Sequence, residues 1–110
     1  MAFEIVLSYE AIDDMKRLSA RDRSFVQDAL EMYLRHEPMR VSRSRIKRLR
    51  GLIRPAYRLR VGELRVYYSV SDCDGVLIHG IVPKAFQDDW LAEHGIPEME
   101  ENQNEDSFDE

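Results

Sequence analysis

Residues 57–68 read Tyr57-Arg58-Leu59-Arg60-Val61-Gly62-Glu63-Leu64-Arg65-Val66-Tyr67-Tyr68. Apolar and basic side chains alternate on both sides of Gly62-Glu63. This predicts two strands, Tyr57 to Val61 and Leu64 to Val70, joined by a two-residue turn. Glycine in the first turn position suits a type II′ hairpin, which needs positive φ there. The turn sets the register, with Val61 opposite Leu64, Arg60 opposite Arg65, Leu59 opposite Val66 and Arg58 opposite Tyr67. Because side chains alternate between faces, Tyr57, Leu59, Val61, Leu64, Val66 and Tyr68 share a core face. Arg58, Arg60, Arg65 and Tyr67 share the other. Like charges directly opposite one another destabilise a sheet, and no acid on this face offsets Arg60 against Arg65. A local rule broken without compensation points to function. Guanidiniums on a rigid platform grip phosphate oxygens bidentately, and Tyr67 beside them offers a stacking surface for a base.

The hairpin closes a longer basic stretch. Arg40 to Arg65 holds 10 of the chain's 16 Lys and Arg residues and one acid, Glu63, whereas the 110-residue chain carries a net charge of −5. Local charge, not the global balance, attracts a polyanion. Arg43, Arg45, Lys47, Arg48 and Arg50 extend the grip along a nucleic-acid backbone, although this run taken alone reads equally well as a solvated face. Ile46, Leu49 and Leu52 read as anchors of a basic loop or a short helical turn.

Elsewhere the chain alternates strand and helix signals. Phe3, Ile5 and Leu7 alternate with Ala2, Glu4 and Val6, which predicts an N-terminal strand. Ser8 reads as the cap of a first helix with Ala11, Met15 and Leu18 as its apolar stripe. Ser19 and Ala20 end it. Phe25, Val26, Ala29, Leu30, Tyr33 and Leu34 predict a second amphipathic helix ending near His36, ahead of Pro38. Ser71 to Gly75 is a turn, Val76 to Val82 a strand, and Ala85 to His94 a short helix burying Phe86, Trp90 and Leu91. The expected fold class is α+β, in the order β-α-α-β-β-β-α. An antiparallel sheet, made of a three-strand meander plus the N-terminal strand, is packed on one face by an N-terminal helical hairpin and a short C-terminal helix.

This is length for one domain, residues 1–97. Residues 98–110 carry 7 acids and no base, and read as a disordered acidic tail. A weak fold-back of this tail onto Arg40–Arg65 is the competing reading. No signal peptide or membrane-spanning run is apparent. Cys73 is alone, and His36, His79 and His94 lack metal-ligand spacing, so the expectation is a cytoplasmic protein with no metal and no small-molecule cofactor.

The hairpin, together with Ile46-Lys47-Arg48-Leu49-Arg50-Gly51-Leu52 and the ending Ile78 to Val82, Pro83-Lys84 and Trp90-Leu91, resembles the RelE/ParE superfamily of toxins from type II toxin–antitoxin systems. The resemblance spans residues 2–95 and implies the same element order. It implies a metal-independent endoribonuclease that cuts mRNA in the ribosomal A site, with mRNA, the ribosome and a cognate antitoxin as partners. It places Arg58, Arg60 and Arg65 at catalytic positions. Where RelE-type toxins carry an arginine after the last strand this chain has Ala85, and Lys84 beside it stands as the substitute. Where they carry a C-terminal tyrosine it has Trp90 or Leu91. Two other functions share these features: a ParE-like inhibitor of DNA gyrase, and a non-catalytic RNA-binding domain.

Overall fold

The structure is a computed structural model, and residues 2–98 are described. In chain order they form β1 (Glu4–Leu7), α1 (Tyr9–Arg17), α2 (Ala20–Ala29), β2 (Ile46–Arg48), β3 (Leu52–Arg54), β4 (Tyr57–Val61), β5 (Leu64–Val70), β6 (Gly75–Pro83), α3 (Gln87–His94) and β7 (Ile96–Pro97). A π-helical turn, Leu30–Leu34, extends α2, and a 3-10 turn, Lys84–Phe86, leads into α3.

The helix starts follow from the sequence. The Ser8 and Ser19 side chains accept hydrogen bonds from the amides of Ala11 and Asp22, satisfying amides that have no partner inside their helices. The guanidinium of Arg23 donates to the carbonyls of Met15 and Leu18 and so closes the end of α1. Ala11, Met15, Val26, Leu30 and Leu34 then pack on Ile46, Leu59, Val66, Tyr68, Val76, Ile78 and Ile81 to form the core. Leu59 and Val66, central to the predicted inward face, are wholly buried.

The hairpin has the predicted register in full, from Tyr57 opposite Tyr68 to Val61 opposite Leu64. Gly62 supplies the positive φ of its turn, at 60°. The sheet around it is larger than expected. Its order is β1-β6-β5-β4-β2, with β3 and β7 forming a separate pair. Ile46–Arg48, expected as a loop or helical turn, is a strand paired antiparallel to β4. Pairing with β4 serves one side of its backbone, and Ile46 is its one buried side chain. The N-terminal strand runs parallel to β6, so the sheet is mixed and not purely antiparallel. The expected order lacked β2, β3 and β7.

The helices also lie on both faces, not on one. Tyr67 pairs with Gly80 on the face opposite the core. There Trp90 of α3 stacks on Tyr67 at 4.8 Å between ring centroids. A Cβ built on Gly80 would fall 2.4 Å from the Trp90 ring, so glycine is what lets the indole lie against the strand. A bulge at His79 aligns this contact: Tyr68 pairs with Ile78 and Tyr67 with Gly80, leaving His79 as the extra residue. Asp14 of α1 accepts from the Ile81 amide just beyond the bulge, tying α1 to β6 from the core side. α3 lies over β5 and β6 and buries none of its own residues fully. Phe86 is exposed, and Trp90 and Leu91 are half-buried, in contrast to the burial expected for all three.

Apart from Glu98, the acidic tail lies outside the described residues. Replacing Gly80 with alanine forces a methyl group into the Trp90 ring. Gly80→Ala is expected to lower stability by about 1–3 kcal/mol, read as an earlier midpoint in urea unfolding. An unchanged midpoint would mean that α3 is not seated on Gly80.

Candidate nucleic-acid interface

The cross-strand pairs on the α3 face are Arg58 with Tyr67 and Arg60 with Arg65 on the hairpin, and Lys47 with Arg58 at the β2 edge. Pairing therefore brings Lys47, Arg58, Arg60 and Arg65 together. Their exposure differs sharply. Arg60 and Lys47 are exposed and Arg58 is half-buried, whereas Arg65 retains only 5% of its accessible surface and Tyr67 none. The expected open face is thus half covered. Tyr67, expected to offer a stacking surface, spends its ring on Trp90, and its hydroxyl lies 3.3 Å from Gln87 Oε1 as donor.

Arg65 is the electrostatic centre of the face. One terminal nitrogen donates to the carbonyls of Gly62 and Leu64, both at 2.9 Å, which pins the guanidinium against the hairpin turn. Its Nε and that of Arg58 are buried and have no hydrogen-bond partner. Among the described residues no carboxylate forms an ion pair with Arg65. Among the described residues the ion pairs are Arg17 with Asp14, Arg35 with Glu31 and Arg40 with Glu37, and no cation from Arg43 to Lys84 forms one. Burial lowers the pKa of Arg65 below the ordinary arginine value. The charges of Arg58 and Arg60 push the same way, against a smaller pull from Glu63 and Tyr67. Burial raises the Tyr67 pKa, more than Arg58 and Arg65 lower it, so its hydroxyl is a neutral donor at physiological pH.

The upstream basic residues do not continue one line of grip. Arg45 places its guanidinium 5.0 Å from the ring of Tyr33, in the turn that extends α2, and donates to the Arg60 carbonyl. Arg48 lies 5.3 Å from the Tyr57 ring and donates to the Leu49 and Ala56 carbonyls. Alternation along β2 puts Arg48 with Tyr57 and leaves Lys47 with Arg58. Arg50 is exposed at the turn into β3, where Gly51 has φ 77°. Lys84 is exposed directly after β6, and its amide donates to the Glu63 carbonyl at 2.7 Å, so its backbone sits at the turn end of the hairpin.

Sequence reasoning missed Gln87 and the seating of Trp90. Gly80, inside an otherwise apolar strand, was the available signal of a close approach. His79 is half-buried beyond the Tyr67–Trp90 stack and shares a 2.9 Å hydrogen bond with Ser69. Burial and the charge of Arg54 hold its pKa below the usual imidazole value, with Glu10 opposing. Among the described residues, no group of three or more His, Cys, Asp or Glu side chains is placed to hold a metal ion, and no helix is long and apolar enough to cross a membrane.

This is an α+β domain whose sheet carries buried and open cations on one face, and solved structures of the same shape exist. The toxin–antitoxin complex RelBE2 from Mycobacterium tuberculosis matches at 24% identity and TM-score 0.61, covering 76% of this chain and 99% of that one. The archaeal RelE–RelB complex from Pyrococcus horikoshii matches at 22% identity and TM-score 0.62, covering 76% and 97%. A mutant of Escherichia coli toxin RelE in the free state matches at 20% and 0.62, covering 82% and 92%. The chain has the fold of RelE-type toxins, as the resemblance of its hairpin implied. No protein-family model matches it, and no curated protein matches it significantly.

Arg60 lies directly opposite Arg65, a like-charge pairing that destabilises a sheet. Arg60→Thr is expected to raise the melting temperature in low salt, by an amount that shrinks as salt screens the pair. A lower melting temperature would show that Arg60 is compensated after all.

Proposed function

We propose that this chain is the toxin of a type II toxin–antitoxin pair and an endoribonuclease that cleaves mRNA on the ribosome. The observation that carries this reading is Arg65: almost wholly buried, flanked by Arg58 and Arg60, and without a carboxylate partner among the described residues. A buried charge is ordinarily paired, because desolvation penalises it. A phosphate entering this face supplies the missing anion. The fold shared with RelE toxins, several of them solved in complex with an antitoxin, supports the same reading and the antitoxin partner.

The chemistry follows from charge. In RNA, the 2′-oxygen attacks the adjacent phosphorus while the 5′-oxygen of the next nucleotide leaves, giving a cyclic phosphate and a free 5′-hydroxyl. Negative charge grows on the non-bridging oxygens as the phosphorane forms. Donors already fixed in a poorly hydrated site stabilise that charge without reorganising. Arg65, pinned by its two backbone contacts, meets this requirement. Arg58 and Arg60 add charge beside it. Arginine keeps its proton, so these residues stabilise phosphate charge, and the 2′-hydroxyl proton passes to another group. Lys84 and Lys47 flank this centre as backbone contacts, with Arg50 further along.

A second reading, phosphate binding without cleavage, draws on Tyr67, whose ring and hydroxyl are both engaged inside the fold. Ribosomes programmed with mRNA and read by primer extension separate the two. The proposal expects cuts at the A-site codon, reduced about a hundred- to a thousand-fold by Arg65→Ala. It also expects a large reduction from Arg58→Gln, a change at a less buried position. Absence of cuts from the wild type, or undiminished cutting by both variants, would sink it. Ribosomes protected but uncut would establish the second reading, and inhibited supercoiling by DNA gyrase would move the target to DNA topology.

A further inference from the structure

Beside the arginine face runs a groove of about 680 Å³ lined by Val41, Lys47, Arg48, Leu49, Arg50, Leu52 and Leu91. Its floor is aliphatic, and its cations come from β2 and the turn after it. Lys47 and Arg50 are exposed, and Arg48 holds backbone carbonyls. This combination suits an acidic segment that also brings an apolar side chain.

The chain delivers such a segment to the groove's edge. After α3 the backbone turns at Gly95, where a Cβ would fall 2.6 Å from the Leu91 carbonyl and 3.3 Å from the Leu52 side chain. Glycine is therefore required for the close return. Residues 96–97 then pair with β3, Pro97 opposite Leu52 and Ile96 opposite Arg54. The Glu98 amide donates to the Gly51 carbonyl at 3.0 Å, one residue from Arg50. Residues 99–110 thus begin at the rim of the groove. They contain 6 acids, Glu100, Glu101, Glu105, Asp106, Asp109 and Glu110, no base, and one aromatic, Phe108. A stretch of this length reaches about 40 Å when extended, far more than the groove requires.

We infer that the groove between Val41 and Leu91 is the docking site of the chain's own residues 99–110, with acids on Lys47 and Arg50 and Phe108 against the aliphatic floor. The pairing of β3 with β7 makes this an intramolecular contact, so tethering raises the effective concentration of the acids at the cations. The inference concerns the groove and its occupant, and stands whether or not the arginine face cuts RNA.

The test uses the full chain with a nitroxide at Ser107→Cys in a Cys73→Ser background, Cys73 being exposed and the sole cysteine. Paramagnetic broadening of amide signals is then mapped at roughly 10 mM and roughly 1 M salt, where the Debye length is about 30 Å and about 3 Å. Docking predicts selective loss of the Lys47, Arg48, Leu49, Arg50 and Leu52 signals at low salt and their recovery at high salt. It predicts recovery at low salt also when Glu105, Asp106, Asp109 and Glu110 are changed to their amides. Broadening spread evenly over the domain, or none, would overturn the inference. So would equal broadening in a mixture of isotope-labelled untagged chain and unlabelled tagged chain, which would make a second copy the donor.

Discussion

The indole of Trp90 lies against the backbone at Gly80 and stacks on Tyr67, and this contact decides how much of the basic face remains open. Without it, the α3 side of the sheet would present a continuous row from Arg58 to Tyr67. With it, Tyr67 becomes interior, α3 is fixed across β5 and β6, and the open cations are confined to Arg60, Lys47 and part of Arg58. The bulge at His79 is the register device behind the contact, because it puts Gly80 and not His79 opposite Tyr67. The sheet thus has two coverings, a helical hairpin over the apolar face and one short helix over part of the charged face.

The second organising feature, among the described residues, is the lack of ion pairs on the hairpin and β2. Arg17, Arg35 and Arg40 find carboxylates three or four residues away in sequence, whereas the cations of the hairpin and β2 find backbone carbonyls, aromatic rings or nothing. Unpaired cations held close together lower the stability of an empty fold, and an anion that supplies the missing pairing binds such a face more tightly for it. Acidic residues are plentiful in the chain but lie elsewhere in the sequence, which keeps the net charge negative while the face stays positive.

The hairpin was legible from sequence because three local rules agree there: period-two alternation, glycine at the turn, and two-residue spacing. Arg60 against Arg65 followed from register alone. The fate of the two faces was not legible. Alternation sorts residues into two sets but does not say whether the polar set meets water, and only the arrival of α3 covers Tyr67. Strand β2 was hidden because three residues with one buried side chain give too short a period to read, and its formation rests on pairing with β4. Arg45 and Arg48 looked equivalent to Lys47 as charges, yet stacking on Tyr33 and Tyr57 draws them away from Arg58. The parallel pairing of β1 depends on a return across the helical hairpin, a tertiary choice without a local signature.

The central claim is that Arg58 and Arg65 carry a charge left incomplete until phosphate arrives. The most direct measurement is the Nε–H resonance of each arginine in the full chain, followed by NMR as a short single-stranded RNA is added. The account predicts that the Arg58 and Arg65 signals move downfield and exchange more slowly with water, ahead of those of Arg17 and Arg35, whose guanidiniums are already paired. Saturation with RNA that leaves the Arg58 and Arg65 signals in place would contradict it.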